Sequence, residues 1–204
     1  LLNKWEAQGN FLFRHRGSLP LLIILPALYL MYRKPEDLMP FGISSGPVLC
    51  YLISLAGLLI RSYTVGYSAR NTSGRNTTEG QIADVVNTTG IYSICRHPLY
   101  IGNFLMWLGI ALLTAHVWFI LFFGLIYILY YERIMFAEER YLEKKFGTLY
   151  TQWADLTPAI IPQFQRWQPN RNLFSLKKVW SREKTGFLLL NLLFRLFSHL
   201  HAKD

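Results

Sequence analysis

Cysteine, charge and glycine-rich loops are all scarce in this 204-residue sequence. Of its two cysteines, Cys50 lies inside an apolar run and Cys95 precedes a polar cluster, which gives neither a disulfide framework nor a CxxC metal-binding spacing. The five histidines lack the spacing of metal ligands, and no GxGxxG sequence occurs to bind a dinucleotide pyrophosphate. The sequence therefore predicts no metal site and disfavours a conventional dinucleotide-binding loop.

Charged residues make up only 16% of the chain, whereas hydrophobic residues make up 52% and are clustered into long runs. This composition is typical of an integral membrane protein rather than a soluble domain. Lysine and arginine number 21 against 12 acidic residues, which gives a net charge of +9. In a membrane protein, such an excess indicates a cytoplasmic face against anionic lipid headgroups and not nucleic-acid binding.

Four apolar segments are predicted to be membrane spans. Arg61, near the end of the second span, is expected to snorkel to the interface. Both ends of the bundle fall on the basic side, so the predicted fold class is an all-α integral membrane protein of about four transmembrane helices, with a long cytosolic extension of the last. The spans cover about residues 18–32, 44–63, 98–115 and 117–131.

The C-terminal segment, residues 173–200, differs from these spans. Polar residues such as Asn191 and Arg195 recur at helical spacing opposite leucines and phenylalanines. This pattern predicts an amphipathic helix that lies in the membrane interface, and a fifth span is the alternative. The chain is thus divided into residues 1–67 with the first two spans, residues 68–157 with a polar loop and the helical hairpin, and residues 158–204 as a basic tail.

Two polar clusters flank the hairpin formed by the third and fourth spans. The first cluster is Arg96–Gly102, and the second surrounds Glu138 and Glu139. A short turn at residues 114–116 returns the chain to the side it left, so we expect the two clusters to meet. Taken singly, each has a simpler explanation: an arginine-histidine pair touching lipid phosphates, and glutamates on a solvated helix face.

A cationic and imidazole-bearing cluster opposite carboxylates suits a zwitterionic ligand rich in hydroxyl groups. Arginine or histidine can hold a carboxylate, tyrosine can stack on a base, and glutamate can accept hydrogen bonds from ribose hydroxyls or an amine. S-adenosylmethionine fits this description better than a nicotinamide dinucleotide does, because the pyrophosphate of the latter usually requires a glycine-rich loop.

The stretch from Gly90 to Tyr150 carries the ordered motifs GxY-x3-RHPxYxG and EExxL-x3-FGxxY. This set closely resembles the C-terminal module of the isoprenylcysteine carboxyl methyltransferases and the related membrane phospholipid methyltransferases. The resemblance implies an S-adenosylmethionine-dependent methyltransferase whose cofactor pocket faces the cytosol. It also implies a lipid or lipidated substrate that reaches the pocket from a bilayer of the bacterial inner membrane or endoplasmic reticulum type.

The resemblance further implies roles for individual residues. Animal members of the family place a substrate-contacting arginine four residues before the glutamate, where this chain has Ile134 beside Arg133, so substrate specificity is not implied. The catalytic candidates are His97, Glu139 and Arg133. The implied cofactor-binding residues are Asp84, Val85, Val86, Asn87, Tyr92, Arg96, His97, Pro98, Leu99, Tyr100 and Glu138.

The acceptor decides whether the reaction needs a base. A carboxylate or phosphate needs none, whereas an amine needs one, for which His97 and Glu139 are the candidates. Basic surroundings favour an anionic headgroup. Two other functions remain open: an NADPH-dependent membrane reductase of the sterol-reductase type, whose members share the RHPxYxG ending, and a non-enzymatic scaffold anchored to lipid phosphates.

Overall fold

The computed structural model describes residues 2–17, 24–32, 46–69, 72, 75–77 and 80–201. Short 3₁₀ turns at Ile91–Ser93 and Phe164–Arg166 connect the longer elements. The elements are α1 Leu2–His15, α2 Ile24–Tyr32, α3 Gly46–Tyr67, β1 Arg75–Thr77, β2 Gly80–Ile82, α4 Pro98–Leu113, α5 Val117–Phe146, α6 Thr148–Leu156 and α7 Leu176–His201.

The fold is predominantly helical, as predicted, but it is not purely so. The polar connection after α3 contains a small antiparallel hairpin in which Arg75 pairs with Ile82 and Thr77 with Gly80. No strand was predicted there, because three-residue strands are too short to show an alternating pattern. The predicted all-α class is confirmed, and this hairpin is a small addition to it.

Two helices in the described part of the chain, α3 and α5, are long and apolar enough to cross a membrane, and α4 is a shorter apolar helix. They agree with the predicted second, fourth and third segments respectively. Of the predicted first span, residues 24–32 are helical, whereas residues 18–23 and the following loop lie outside the described residues. The count of four spans stays a prediction.

Helix α5 extends well beyond the thickness of a bilayer. Its 30 residues correspond to about 45 Å, whereas the hydrocarbon core is about 30 Å thick. The apolar part ends near Tyr131, and the charged part that follows contains Glu138 and Glu139. These two carboxylates therefore lie beyond the apolar part of the helix.

The outer faces of the two long helices are covered with exposed apolar side chains. Exposed apolar surface of this extent is unusual on a soluble monomer and indicates contact with lipid or with another chain. The residues concerned are Val48, Leu52 and Leu59 on α3 and Trp118, Leu121, Phe122, Leu125 and Ile128 on α5.

Helix α4 lies at the centre of the fold, between two apolar clusters. One cluster joins α4 to α1, α2 and α5, and the other joins it to α3 and α7. Because α4 is held on both sides, its N-terminal end, which begins at Pro98, has a fixed position. The two clusters centre on Phe13, Phe123, Tyr127 and Ile134, and on Leu58, Ile110, Leu190 and Leu193.

Glycines allow α3 and α4 to approach closely. A Cβ at Gly102 would lie 2.8 Å from the carbonyl oxygen of Gly57, and one at Gly109 would lie 3.1 Å from the Cβ of Ser54. Small residues at a helix interface permit backbone contact in membrane proteins. Gly102 and Gly109 therefore allow α3 and α4 to pack in close contact.

Helix α7 is continuous, and its middle joins the core. Leu190, Leu193 and Phe194 are buried, and the Tyr51 hydroxyl donates to Asn191 Oδ1 at 3.1 Å. Asn191 therefore faces α3 rather than a polar outer surface, and the position of α7 in the membrane interface stays a prediction. Apolar residues exposed on its outer side are Leu188, Leu192 and Leu196.

Candidate active site

The segment before α4 is folded tightly against the tail of the chain. Gly90 has φ +61°, a left-handed conformation that favours glycine, and a Cβ there would overlap the Asn170 side chain. The backbone N–H of Gly90 donates to Gln168 O at 2.9 Å, and those of Arg96 and His97 donate to Pro158 O and Ala159 O. The tail that was divided off at residue 158 thus begins by pairing with the motif.

The turn between α4 and α5 is fixed by local hydrogen bonds. Ala115 has φ +52°, and the ring Nδ1 of His116 accepts from the Phe119 N–H at 3.2 Å, which caps the start of α5. This tight turn makes α4 and α5 antiparallel neighbours, so the residues before α4 lie beside the charged part of α5.

The two polar clusters meet, as the hairpin argument predicted. His97 Nε2 lies 2.8 Å from Glu139 Oε1, and its Nδ1 lies 3.7 Å from Glu138 Oε2. Arg96 Nε lies 2.9 Å from the same Glu139 oxygen. Because a carboxylate is only an acceptor, the short contact requires His97 to donate from Nε2. The imidazole is thereby held in one orientation between the two glutamates.

Glu139 is the ionic centre of this arrangement. Burial opposes its ionisation, but the hydrogen bond and charge of His97 and the charge of Arg96 outweigh it and lower the pKa of the Glu139 carboxyl. Arg96 also donates from Nη1 to the carbonyl of Ala154 at 2.5 Å. Glu139 therefore stays ionised and links the start of α4 to α5, while Arg96 continues the connection to α6.

Glu138, unlike Glu139, accepts a hydrogen bond from a tyrosine. Its Oε2 accepts from the Tyr100 hydroxyl at 2.7 Å, and its side chain is 19% exposed. The Tyr100 backbone carbonyl accepts in turn from the Tyr127 hydroxyl at 2.7 Å. The Glu138 carboxylate is thus oriented from one side by a tyrosine and remains open to the cavity on the other.

Several groups around the site are kept neutral. Burial, with the negative charge of Glu138, raises the pKa of Tyr92, and burial with the charge of Glu139 raises that of Tyr150. Burial also raises the pKa of the Cys95 thiol to about 12. The tyrosines therefore remain hydroxyl donors, and Cys95 is an unreactive thiol.

A cavity of about 210 Å³ opens beside Glu138, and we call it the motif cavity. Ten of the eleven cofactor-binding residues implied by the sequence line it; Asp84 does not. The loop that carries the upstream members is held by Asn87, which accepts from Ala69 N at 3.1 Å and donates to Thr72 Oγ1 at 2.8 Å. The ten are Val85, Val86, Asn87, Tyr92, Arg96, His97, Pro98, Leu99, Tyr100 and Glu138.

Only one of the three catalytic candidates lines the motif cavity. His97 lines the motif cavity, whereas Glu139 lies behind it in the ion pair with Arg96. The Arg133 guanidinium lies 3.6 Å from the centre of the Trp5 ring and 3.5 Å from Glu132. It does not line the motif cavity, so the structure does not bring Arg133 together with the other two.

Other lining residues were not identified as site residues from the sequence. Arg61, for which only snorkelling to the interface was considered, makes a bidentate pair with Glu183, at 2.8 Å from Nε and 2.7 Å from Nη2. An ionisable residue inside an apolar span is usually paired, and that signal was available. The additional lining residues include Arg16, Arg61, Asn103, Leu142, Tyr150, Trp153, Arg182 and Glu183.

Comparison with known proteins identifies one family. The model of the phospholipid methyltransferase family matches residues 48–149, which is half of the chain. No solved structure matches.

Three curated proteins show similarity. A fission yeast (Schizosaccharomyces pombe) protein-S-isoprenylcysteine O-methyltransferase is 36% identical over 75 residues, which is 37% of this chain and 32% of that protein. The nickel-cobalt-cadmium resistance protein NccN of Alcaligenes xylosoxydans is 29% identical over 76% of this chain and 68% of its own length. The cobalt-zinc-cadmium resistance protein CzcN of Cupriavidus metallidurans is 29% identical over 89% of this chain and 76% of its own length.

Proposed function

Because the chain belongs to the phospholipid methyltransferase family of membrane methyltransferases, we propose that it transfers a methyl group from S-adenosylmethionine to the polar headgroup of a lipid or lipidated substrate. The family match and the similarity to the yeast methyltransferase support a membrane methyltransferase. The methyl donor, the acceptor headgroup and a cytosolic position of the site belong to the proposal.

One observation carries the proposal. Residues implied to bind the cofactor come from two stretches about forty positions apart, and they line one cavity in which His97 and Glu138 face each other at 3.7 Å. A pair of surface clusters anchored independently to lipid phosphates would not require a shared cavity. The scaffold alternative leaves this convergence without an explanation.

The residues of the motif cavity suit the proposed donor. Glu138 offers a carboxylate to hydroxyl or amino groups, neutral Tyr92 offers a phenol, and Trp153 and Leu142 offer apolar contact to a base. When bound there, S-adenosylmethionine supplies a methyl group on a positively charged sulfur. The absence of a GxGxxG loop makes the cavity less suited to the pyrophosphate of NADPH.

The residues around His97 orient the site rather than attack the substrate. Glu139 and Arg96 fix the imidazole from behind, so His97 presents one edge to Glu138 and the cavity. With an anionic acceptor, no proton has to be removed and alignment in a dry site is sufficient. With an amine acceptor, His97 is the group that lines the cavity and can take the proton.

Calorimetry on the full chain in lipid nanodiscs tests the proposal. We expect saturable binding of S-adenosylhomocysteine, the product of the donor, and no comparable binding of NADPH. Replacing Glu138 by alanine should weaken the binding by roughly tenfold to a hundredfold, because a charge-assisted hydrogen bond contributes about 1.5–3 kcal/mol. Glu143→Ala is the matched control, since Glu143 lies on the same helix, pairs with Arg140 and does not line the motif cavity.

The alternatives predict different results. Binding of NADPH without binding of S-adenosylhomocysteine would identify a reductase and end the methyltransferase assignment. Binding of neither ligand by a folded protein would favour the scaffold. If His97→Ala and Glu138→Ala both bind S-adenosylhomocysteine as the unchanged protein does, the motif cavity is not the donor site.

A further inference from the structure

A second cavity of about 290 Å³ adjoins the motif cavity, and we call it the lateral cavity. Its far wall is apolar and is formed by residues of α4 and α7, among them Trp107, Ile110, Leu189 and Leu193. Small-molecule sites usually measure about 300–1,000 Å³. Either cavity alone is below that range, whereas the two share one boundary and together fall within it.

Five residues line both cavities, and we call them the junction: Arg16, Arg61, Asn103, Arg182 and Glu183. Arg61 and Glu183 neutralise each other through their bidentate contact, and Arg61 Nη1 donates to Asn103 Oδ1 at 2.5 Å. Glu183 is only 4% exposed, so this pair is a structural unit with little capacity left for a ligand. The remaining charges of the junction belong to Arg16 and Arg182.

Arg16 has an unused donor in this enclosed position. Its Nη1 is inaccessible to solvent and has no hydrogen-bond partner among the described residues. The guanidinium is packed 3.9 Å from the ring centre of the buried Phe13, which fixes its position. An unsatisfied buried donor on a charged group is costly. A ligand that supplies an anionic oxygen would remove this cost.

We propose that Arg16 and Arg182 form the anion-binding subsite for the methyl acceptor, and that the acceptor is an amphiphile with a carboxylate or phosphate at the junction and its alkyl chain in the lateral cavity. This inference rests on the proposed function, because it places the acceptor oxygen where the two cavities meet. There, a lone pair of the anionic oxygen forms the new O–CH₃ bond. The S–CH₃ bond breaks with its electrons retained by sulfur, so a cation and an anionic oxygen are both neutralised and no proton is transferred.

Arg16 and Arg182 supply the cations that Arg133 cannot supply. Arg133 is stacked on Trp5 and does not reach the cavities, so a cation for the acceptor has to come from another element. Arg16 follows α1 and Arg182 lies on α7, and neither falls within residues 48–149 matched by the family model. The subsite is therefore built outside the part of the chain that carries the methyltransferase motif.

Binding of labelled single-chain amphiphiles to the full chain in nanodiscs of neutral phosphatidylcholine tests the subsite. The probes are pyrene-labelled dodecanoate, the corresponding alkyl phosphate and the neutral alcohol. We expect the anions to bind at least tenfold more tightly than the alcohol, and we expect Arg16→Gln and Arg182→Gln each to lower anion affinity severalfold to tenfold without changing that of the alcohol. A preference between carboxylate and phosphate identifies the source of the anion.

Arg16→Lys, which keeps the charge, should retain part of the affinity, and Arg140→Gln, on an arginine that lines neither cavity, should have no effect. Equal binding of the alcohol and both anions, or anion binding unchanged in both glutamine variants, would overturn the subsite. Because Arg182 is exposed, its variant stays informative even if Arg16→Gln does not fold. Calorimetry with S-adenosylhomocysteine on the unchanged protein separates the two proposals. If the protein binds the anions through the arginines but does not bind S-adenosylhomocysteine, the proposed function is refuted. If it binds S-adenosylhomocysteine but shows no arginine-dependent anion binding, only the subsite is refuted.

Discussion

The motif cavity is lined on one side by residues of the helical hairpin and on the other by the junction, and these two sides differ in where along the chain their residues come from. The polar groups of the motif cavity come mainly from residues 85–100 and 138–153, in and next to one helical hairpin. The junction takes its five residues from the turn after α1 and from α3, α4 and α7. Since the family model covers residues 48–149, the junction residues Arg16, Arg182 and Glu183 lie outside it. The residues proposed for the methyl donor thus lie mostly inside the matched range, and the two arginines proposed for the acceptor lie outside it.

The largest loss of stability is expected from Glu183→Gln, which tests whether the Arg61–Glu183 pair of the junction stabilises the fold. Arg61 would keep a buried charge beside a neutral amide, and removing one partner of a buried ion pair costs about 3–5 kcal/mol. We expect a large fall in the free energy of unfolding, measured by chemical denaturation in detergent. Donor binding at a temperature where the variant remains folded should be little changed.

Glu132→Gln is the control for this experiment. Glu132 is half exposed, and its contact with Arg133 is 3.5 Å, so its loss should cost at most about 0.5 kcal/mol. If Glu183→Gln were as stable as Glu132→Gln, the Arg61–Glu183 pair would not hold α3 to α7. Arg61 would then be available as a third ligand-binding cation of the junction.

The second prediction concerns Gly102, which packs against Gly57 and Arg61 of α3. A Cβ added there would meet the Gly57 carbonyl and the side chain of Arg61, and the backbone carbonyl cannot move aside without shifting α3. Gly102→Ala should cost about 1–3 kcal/mol and weaken both donor and anion binding. Gly124→Ala, on an open helix face with nothing near the added Cβ, should be neutral or slightly stabilising. An effect of Gly102→Ala on one ligand only would show that the regions are uncoupled.

The contrast also explains how much could be predicted from the sequence. The meeting of His97 with Glu138 and Glu139 follows from hairpin geometry, since two apolar segments and a short turn leave no other return path. The pairing of Arg61 with Glu183 joins residues 122 positions apart, and no periodic pattern indicates it. Backbone pairing of the tail with Gly90 and His97 is equally invisible, because it involves no side-chain signal.

Arg133 shows that adjacent residues in the sequence face different directions on a helix. Arg133 is a catalytic candidate from the sequence because it is next to Ile134, but one position along an α-helix corresponds to a rotation of about 100°. Ile134 is fully buried in the core, so its neighbour is turned away and packs on Trp5 of α1. Arg16, one of the arginines that do line the cavities, follows α1 about 120 residues earlier in the chain, and the sequence gives no reason to pair it with α5.

The third prediction tests the ionic support of the motif cavity through pH. The pKa of Glu139 is lower in the folded protein than its ordinary value of 4.5, so its ionised form stabilises the fold above that value. This contribution is lost as the pH falls through the lowered pKa. Glu139→Gln should therefore cost about 1–2 kcal/mol at pH 7 and should decline less steeply in acid. Denaturation curves from pH 7 to pH 3 check this, and parallel curves for the two proteins would contradict it.

The smallest effect is expected at Tyr63, where the tail is held to α3. Asn170 Nδ2 donates to the Tyr63 hydroxyl at 2.7 Å, so Tyr63→Phe removes the acceptor and should cost about 0.5–1.5 kcal/mol. Tyr141→Phe, at a ring that contacts Lys145 and makes no hydrogen bond shown in the described residues, should be neutral. Hydrogen exchange should become faster at Gly90 and Gln168 in Tyr63→Phe only, because these backbone groups pair beside Asn170. If Tyr63→Phe also weakened the binding of S-adenosylhomocysteine, the tail would form part of the donor site. The comparison would then be between a donor site built from the hairpin and the tail together and the junction.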